Sequence, residues 1–439
     1  MIIILRKVTK TFSGYISKFK WGNIYILMVD LLVVGGGAAG FFGAIQFAEN
    51  NPGSKILILE KTSKLLTKVR ISGGGRCNVT HHEYQPVQLA RHYPRGEKVL
   101  KSLFKKYQAT DVISWFADKG VQIKAEEDGR MFPVSNSSQT IIDCFLAEAK
   151  KHNITIELNK QVVKLKENNR KLEITTQSGE TILAKHVLVA IGGHVHRSAY
   201  KWIEDAGHTI TPIAPSLFTF NDPTKRLAHL MGVSVNNALV KITGTKFSQQ
   251  GPVLITHWGL SGPAIIKLSA WAALYLHEVN YQFTVLLSWV GDKKEEDLRE
   301  ELLQLKNSRP KQKVFSNSLF QIPQRLWKAL CIEADINETK LWGELGLKNL
   351  NKLIEQLIRS PFEITGKTTF KEEFVTCGGV DLSEINIDTM ESKKIPNLYF
   401  AGEVLNIDGE TGGFNFQAAW STAWIAAQGI SNKQDFSLT

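Results

Sequence analysis

Short apolar runs, some unbroken and some alternating with polar residues, set out the framework of this chain. Asp30-Leu-Leu-Val-Val34 and Ile56-Leu-Ile-Leu59 are unbroken, as expected of parallel strands buried on both faces. An Ala-rich helix fills the interval between them. Farther on, Ile154–Leu158, Gln161–Lys166, Lys171–Thr176 and Glu180–Ala184 are separated by turn signals at 167–170 and at Ser178-Gly179. That pattern predicts a β-meander. His186-Val-Leu-Val-Ala-Ile191 is again unbroken and stops at Gly192-Gly193, so it belongs beside the first strand in one parallel sheet. Helices are predicted over Tyr93–Lys106, Val112–Ala117 and Asn136–Lys150.

From residue 201 to about 370 the pattern changes. Prolines at 212, 215, 223, 252 and 263 punctuate short strands up to Val290. A charged helical stretch follows at Lys293–Lys306, then helical spacing from Gln324 to Ile358. This reads as an insertion with a β-rich part and a small helical part. The first pattern then returns. Asn397-Leu-Tyr-Phe-Ala-Gly-Glu403 is a strand ending in Gly402 and an acid, and Thr411-Gly-Gly413 leads into an Ala-rich helix over Gln417–Gln428. The boundaries are therefore an N-terminal extension at 1–27, a nucleotide-type domain at 28–200 and 371–435, and the insertion at 201–370.

Glycines give this frame its chemistry. Gly35, Gly37 and Gly40 follow the first strand with G-x-G-x-x-G spacing. The first permits a tight turn, the second lets a pyrophosphate approach, and the third lets the helix pack on the strand. The helix that begins at Ala38 and Ala39 turns its free N–H groups toward that pyrophosphate. Glu60 ends the second strand twenty positions beyond Gly40, where an acid receives the ribose hydroxyls of an adenosine, with Lys61 beside it. A second glycine loop, Gly73-Gly-Gly75, is flanked by Ser72, Arg76 and Asn78 and suits another close approach of backbone to ligand. Gly402 and Glu403 are placed for a linker hydroxyl. Gly413, Phe414, Asn415 and Gln417 bring backbone amides at a helix start to a ring that becomes anionic on reduction. No second G-x-G-x-x-G lies in the insertion, so a separate nicotinamide-binding unit is not visible.

Composition narrows the setting. Among the 439 residues 43% are hydrophobic and 22% charged, ordinary for a globular chain. No apolar run reaches the roughly 18 residues that would span a bilayer. Cys77, Cys144, Cys331 and Cys377 form no C-x-x-C pair, so neither a metal site nor a disulfide framework is expected, and a reducing cytoplasm is the natural home. The net charge of +11 is uneven: residues 30–200 carry 24 basic and 16 acidic groups, residues 371–439 carry 4 and 10. Such a balance favours a polyanionic partner or a membrane surface. Arg91, Arg95, Lys98, Lys101, Lys105 and Lys106 face one acid, Glu97, and read as a solvated helix face or a phosphate-contacting stripe. The first 29 residues hold five basic groups and no acid. A mistaken upstream start, a basic tail and an amphipathic anchor all fit them, with Met28 the natural beginning.

With these motifs in place the chain resembles the flavoprotein family labelled BaiN/RdsA-like or aminoacetone-oxidase-like. Val33–Gly40, Ser72–Asn78, Gly129-Arg-Met-Phe-Pro133, Thr256-His-Trp-Gly-Leu-Ser-Gly-Pro263 and Phe400–Gln417 carry the resemblance, which spans residues 28 to about 430. The chain departs from the family's usual residues at His81, Cys377 and Asn406. The resemblance implies an α/β fold: a Rossmann-like FAD-binding domain of parallel sheet plus β-meander, with an inserted β-barrel-like and helical domain. FAD is the implied cofactor, with Val162, Gly192 and Gly193 joining its site, and NAD(P)H is the implied small-molecule reductant. The implied substrates are conjugated enones, small amines, or a uridine of large-subunit ribosomal RNA reduced to dihydrouridine.

Reduction of a C=C bond takes a hydride from the flavin and a proton from an acid. Cys77, with Arg76 beside it to favour thiolate, and His257 are the candidate acids, each with a plain structural alternative. A Cys77–Cys377 redox pair is a further option. Three functions stay open: a reductase for RNA uridine, with the basic stripe as its contact; an oxidase or reductase for a small metabolite; and a non-catalytic flavin-bearing RNA-binding protein.

Overall fold

The computed structural model describes residues 19–21, 24–168, 171–368 and 375–435. Residues 1–18, where most of the expected extension falls, lie outside the described residues. The first long strand starts before Met28, running Ile24–Val34 with Phe19–Trp21 antiparallel to its beginning.

The central sheet places five strands in parallel, in the order Thr155–Glu157, Ile56–Leu59, Ile24–Val34, Thr181–Val189 and Leu398–Phe400. Leu31, Leu32 and Val33 and all of Ile56–Leu59 are buried, as unbroken apolar runs require. Two expectations need correction. Ile154–Leu158 does not join the meander; its middle residues pair with Ile56–Leu59 in the parallel sheet. Glu180–Ala184 and His186–Val189 are not separate strands but one, Thr181–Val189. Its first half alternates because it pairs with the half-solvated meander strand Lys171–Thr176, and its second half is covered on both faces. The meander proper is Val162–Asn168, Lys171–Thr176 and the start of that strand.

The helix Ala38–Asn50 lies against the C-terminal helix Phe414–Asp435. Phe42 meets Trp420 and Trp115 edge-on at centroid distances of 5.5 and 5.0 Å, and Phe145 joins them. Each such buried ring contributes about 2–3 kcal/mol by area alone. A second core is built within residues 218–364 around Trp289, Trp327 and Leu350. Its seven-stranded antiparallel sheet begins with Ser360–Thr365 and ends with Lys367–Thr368. These two pieces are consecutive in the chain, broken only by Gly366 at φ +98°, so one broken strand pairs with both ends of the sheet and closes it like a barrel. Helices Glu295–Ser308, Gln324–Glu333 and Leu347–Ile358 cover it. The chain passes between the two cores along Ala214–Ser216 and Val375–Cys377, which pair antiparallel. Among the described residues no helix is long and apolar enough to cross a membrane.

Candidate active site

A cleft of about 560 Å³ opens at the carboxyl ends of the parallel strands, where open α/β sheets bind ligands. At one end Gly35 turns the chain at φ +117° and Gly37 caps the helix with no side chain of its own. A Cβ at Gly37 would meet nothing within 4 Å, so that point is open. The first helical bond runs from Phe41 N–H to Gly37 O, which leaves the N–H groups of Ala38, Ala39 and Gly40 without helical partners. Gly40 itself does not line the cleft. A Cβ there would fall 2.0 Å from Gly35 O, so its role is close packing of helix on strand.

Glu60 supports the glycine turn. Gly36 N–H donates to its Oε2 at 2.9 Å, and Thr62 N–H to its Oε1 at 2.8 Å. Lys61 Nζ stands 3.2 Å from His194 Nε2. Burial, with Lys61 and Lys68 adding to it, pushes the His194 imidazole down to about 4. Burial likewise lowers the Lys61 ammonium. Val162 lies in an adjoining recess with Glu60, Lys61, His194 and Trp202.

Along the middle, the helix from Thr67 breaks at Ser72, and Gly73, Gly74 and Gly75 take left-handed conformations. A Cβ on Gly73 would approach Phe132 Cε1 to 2.7 Å, so glycine alone fits against the cleft wall there. Ser72, Gly73 and Asn78 line the cleft, and Asn78 Oδ1 accepts from Met131 N–H at 3.2 Å. Opposite stand Gly192, Gly193, Gly402 and Glu403. Lys68 Nζ donates to Glu403 Oε2 at 2.6 Å, and Thr376 N–H to Oε1 at 2.8 Å.

The other end holds groups that reading the sequence missed. Glu410 lines the cleft and receives three donors: Trp271 Nε1 at 2.6 Å, His92 Nδ1 at 3.2 Å and Lys267 Nζ at 3.3 Å. Burial raises its carboxyl, but these donors outweigh burial and hold it below the usual carboxylate range. Two residues before it, fully buried Asp408 takes a two-point pair from Arg95, whose Nη1 also donates to Ala270 O at 2.7 Å. Lys267, Ala270 and Trp271 sit on one helix, Pro263–Trp271, so the loop before the C-terminal helix is fastened to the insertion. The signal available was Glu410 itself, inside Phe400–Gln417; its partners are distant in sequence.

Gly413 and Asn415 line the cleft as expected. Several other expectations fail. Cys77 is buried off the cleft, and burial pushes its thiol up to about 12, the opposite of an activated thiolate. Arg76 does not assist it, because its guanidinium pairs with Glu126 at 2.5 Å and lies over the Phe132 ring. Arg76, Gly74 and Gly75 do not line the cleft. His257 is exposed in the turn between Ser248–Ile255 and Gly259–Ser261, edge-on to Trp258, and not on the cleft wall. Phe414 turns inward between His81 and His92, at 4.5 and 4.2 Å. Gln417 is buried, bonded to Thr80 Oγ1 at 2.6 Å and Ser421 Oγ at 3.0 Å. Cys377 is buried and free, its thiol also pushed up to about 12. Arg95 belongs to the Asp408 pair and not to an exposed stripe; Arg91, Lys98, Lys101 and Lys105 are exposed.

An open glycine turn before unpartnered helix N–H groups, an acid at the second strand and a long cleft continuing past Glu403 fit FAD. A ribosomal RNA dihydrouridine synthase of Escherichia coli (strain K12) is 30% identical to this chain over 410 residues, covering 91% of this chain and 98% of that protein. A 3-dehydro-bile acid delta(4,6)-reductase of Clostridium scindens is 24% identical over 411 residues, with the same coverages of 91% and 98%. Among solved structures, the open conformation of a flavocytochrome c3 fumarate reductase superposes with a TM-score of 0.49 at 17% identity, covering 92% of this chain and 78% of that one. The HI0933-like protein Rossmann domain matches residues 29–429. The chain belongs to that family and is an FAD-dependent oxidoreductase with a Rossmann-like FAD-binding domain.

Proposed function

We propose that this enzyme reduces the conjugated C=C bond of a uridine in large-subunit ribosomal RNA to give dihydrouridine, with NAD(P)H as electron donor. The observation that carries this reading is the 30% identity over 98% of the length of a ribosomal RNA dihydrouridine synthase. The exposed Arg91, Lys98, Lys101 and Lys105 support it by offering positive charge to a phosphate backbone. Residues 28–200 and 371–435 form the FAD-binding part, with 201–370 inserted.

In this reading Gly35 to Ala39 receive the pyrophosphate, Glu60 and Lys61 the adenosine ribose, and Val162 its base. Ser72, Gly73, Asn78, Gly192, Gly193 and Glu403 border the linker and ring, and Gly413 and Asn415 close the far side. Reduced FAD, when bound, supplies the hydride. The proton for the second carbon comes from the Glu410 end of the cleft, where the carboxylate holds the Lys267 ammonium at 3.3 Å. Glu410 lines the cleft and Lys267 stands behind it, so the proton passes from the ammonium by way of the Glu410 carboxylate, whose direction Trp271 fixes. With only one G-x-G-x-x-G unit, the nicotinamide reductant approaches the same cleft as the substrate.

A second reading, reduction of a small enone, is favoured by the reductase likeness at 24% identity. Both place the protein in the cytoplasm. Deleting the gene and mapping dihydrouridine in ribosomal RNA separates them: loss of one modified position is expected. Unchanged modification would sink the RNA reading.

A further inference from the structure

Leu217 sits between the strands Ala214–Ser216 and Thr219–Asn221 with φ at +58°. A leucine Cβ crowds the backbone in this left-handed region, which glycine occupies freely. The surroundings hold it there. Phe218 N–H donates to Ser269 Oγ at 2.9 Å, Ser216 Oγ donates to Asp408 Oδ2 at 3.4 Å, and Ser216 pairs with Val375 across the two connections.

Packing does not explain the choice of leucine. Phe218 and Phe220, on either side of Thr219, are buried in the core of the insertion. The Leu217 side chain belongs to neither hydrophobic core, is half-buried, and lines the cleft. Among the described residues from 201 to 368, it is the one that reaches the cleft wall. A strained backbone that carries a large apolar side chain to a binding site, with no return in core packing, points to a role in binding.

We propose that Leu217 is a specificity-determining residue, the apolar wall that the insertion lays against the flat face of the unsaturated substrate. This rests on the C=C reduction described above. Leu217 stands at the Glu410 end, because Ser269, which fixes the next residue, shares a helix with Lys267 and Trp271. A planar conjugated carbonyl has an apolar face and a polar edge. Leu217 takes the face, and the Glu410 cluster stands at the edge. Such a pairing of one apolar wall with a few polar groups fixes the orientation of a small planar ligand.

The test uses the FAD-loaded enzyme and three proteins: wild type, Leu217→Ala, which removes the side chain but keeps the strain, and Leu217→Gly, which removes both. Binding of 2-cyclohexen-1-one is followed by its perturbation of the flavin absorbance band without reductant, and stability by thermal unfolding. Both variants are expected to bind the enone about tenfold more weakly, the order expected for losing a branched aliphatic contact. Leu217→Gly is expected to melt above Leu217→Ala. Wild-type affinity in either variant would overturn the proposal. So would a Leu217→Gly protein that melts below Leu217→Ala, since the backbone at 217 would then carry no strain for a binding role to explain. The gene-deletion experiment decides the RNA reading without touching this comparison.

Discussion

Lys68 and Glu403 meet across the cleft, Nζ to Oε2 at 2.6 Å, one from the segment after the second strand and the other from the C-terminal strand end. The pair joins parts of the chain that are 335 residues apart. Glu403 is the better buried partner, and its other oxygen fixes Thr376 N–H. Replacing Glu403 by Ala leaves both donors without this acceptor at the wall proposed for the linker of FAD. We expect FAD to bind about 10- to 100-fold more weakly, the order of one lost charge-assisted hydrogen bond. Titration of apoprotein with FAD, followed by flavin fluorescence, measures it; unchanged affinity would remove Glu403 from the site.

Arg95→Ala strips the guanidinium from a carboxylate with no exposed surface. Breaking such a pair costs about 3–5 kcal/mol. The pH dependence follows from burial, which already raises the Asp408 carboxyl above its ordinary value while Arg95 opposes it. Without Arg95 the folded state holds the Asp408 proton more tightly still. The penalty is therefore complete above the folded-state value and shrinks as the pH falls through it. Urea unfolding at pH 8 and pH 5 should show a smaller deficit for Arg95→Ala at pH 5. An equal deficit at both would refute the assignment.

Cys77→Ala is expected to keep substrate reduction within about twofold while lowering stability by about 1–2 kcal/mol through a small void. Its thiol, pushed up to about 12, is protonated at neutral pH and is buried in the core rather than on the cleft wall. Stopped-flow reoxidation of the reduced flavin by substrate checks this, and a hundredfold slowing would restore Cys77 to the mechanism.

Lys98, Lys101 and Lys105 are exposed and carry no part of the cleft wall. Replacing all three by Gln should reduce the slope of log affinity for a ribosomal RNA fragment against log salt by about 2–3. Enone reduction should not change. An unaltered slope would make the stripe a solvated helix face.

The glycine-turn end of the cleft was legible because its residues are local in sequence. Gly35, Gly37 and Glu60 lie within one strand–helix–strand unit, and the geometry of that unit is set by short-range sterics and hydrogen bonds. The reactive half was not, because its contacts are long-range. Arg76 next to Cys77 suggested an activated thiolate, yet the guanidinium finds Glu126 and Phe132 instead. Arg95 read as a surface cation, and its partner Asp408 is 313 residues away. Glu410 carried no mark of its donors, since His92, Lys267 and Trp271 come from two other segments. The meander differs from its sequence pattern at Thr155–Glu157, because a three-residue strand is too short for its pattern to tell a parallel neighbour from an antiparallel one, and at Thr181–Val189, where two runs form one strand.

The second half of the strand Thr181–Val189 has Ile24–Val34 on one side and waits for Leu398–Phe400 on the other, while its first half already pairs with Lys171–Thr176. During synthesis more than two hundred residues separate that strand from its last neighbour. At about 5–20 residues per second, an apolar edge ready to pair with another chain stays open on the ribosome for roughly 10–40 s. Over the same interval the Glu403 wall of the cleft does not yet exist. Newly made chains should therefore depend on a holdase, and truncations before residue 398 should aggregate rather than accumulate as a soluble apoprotein.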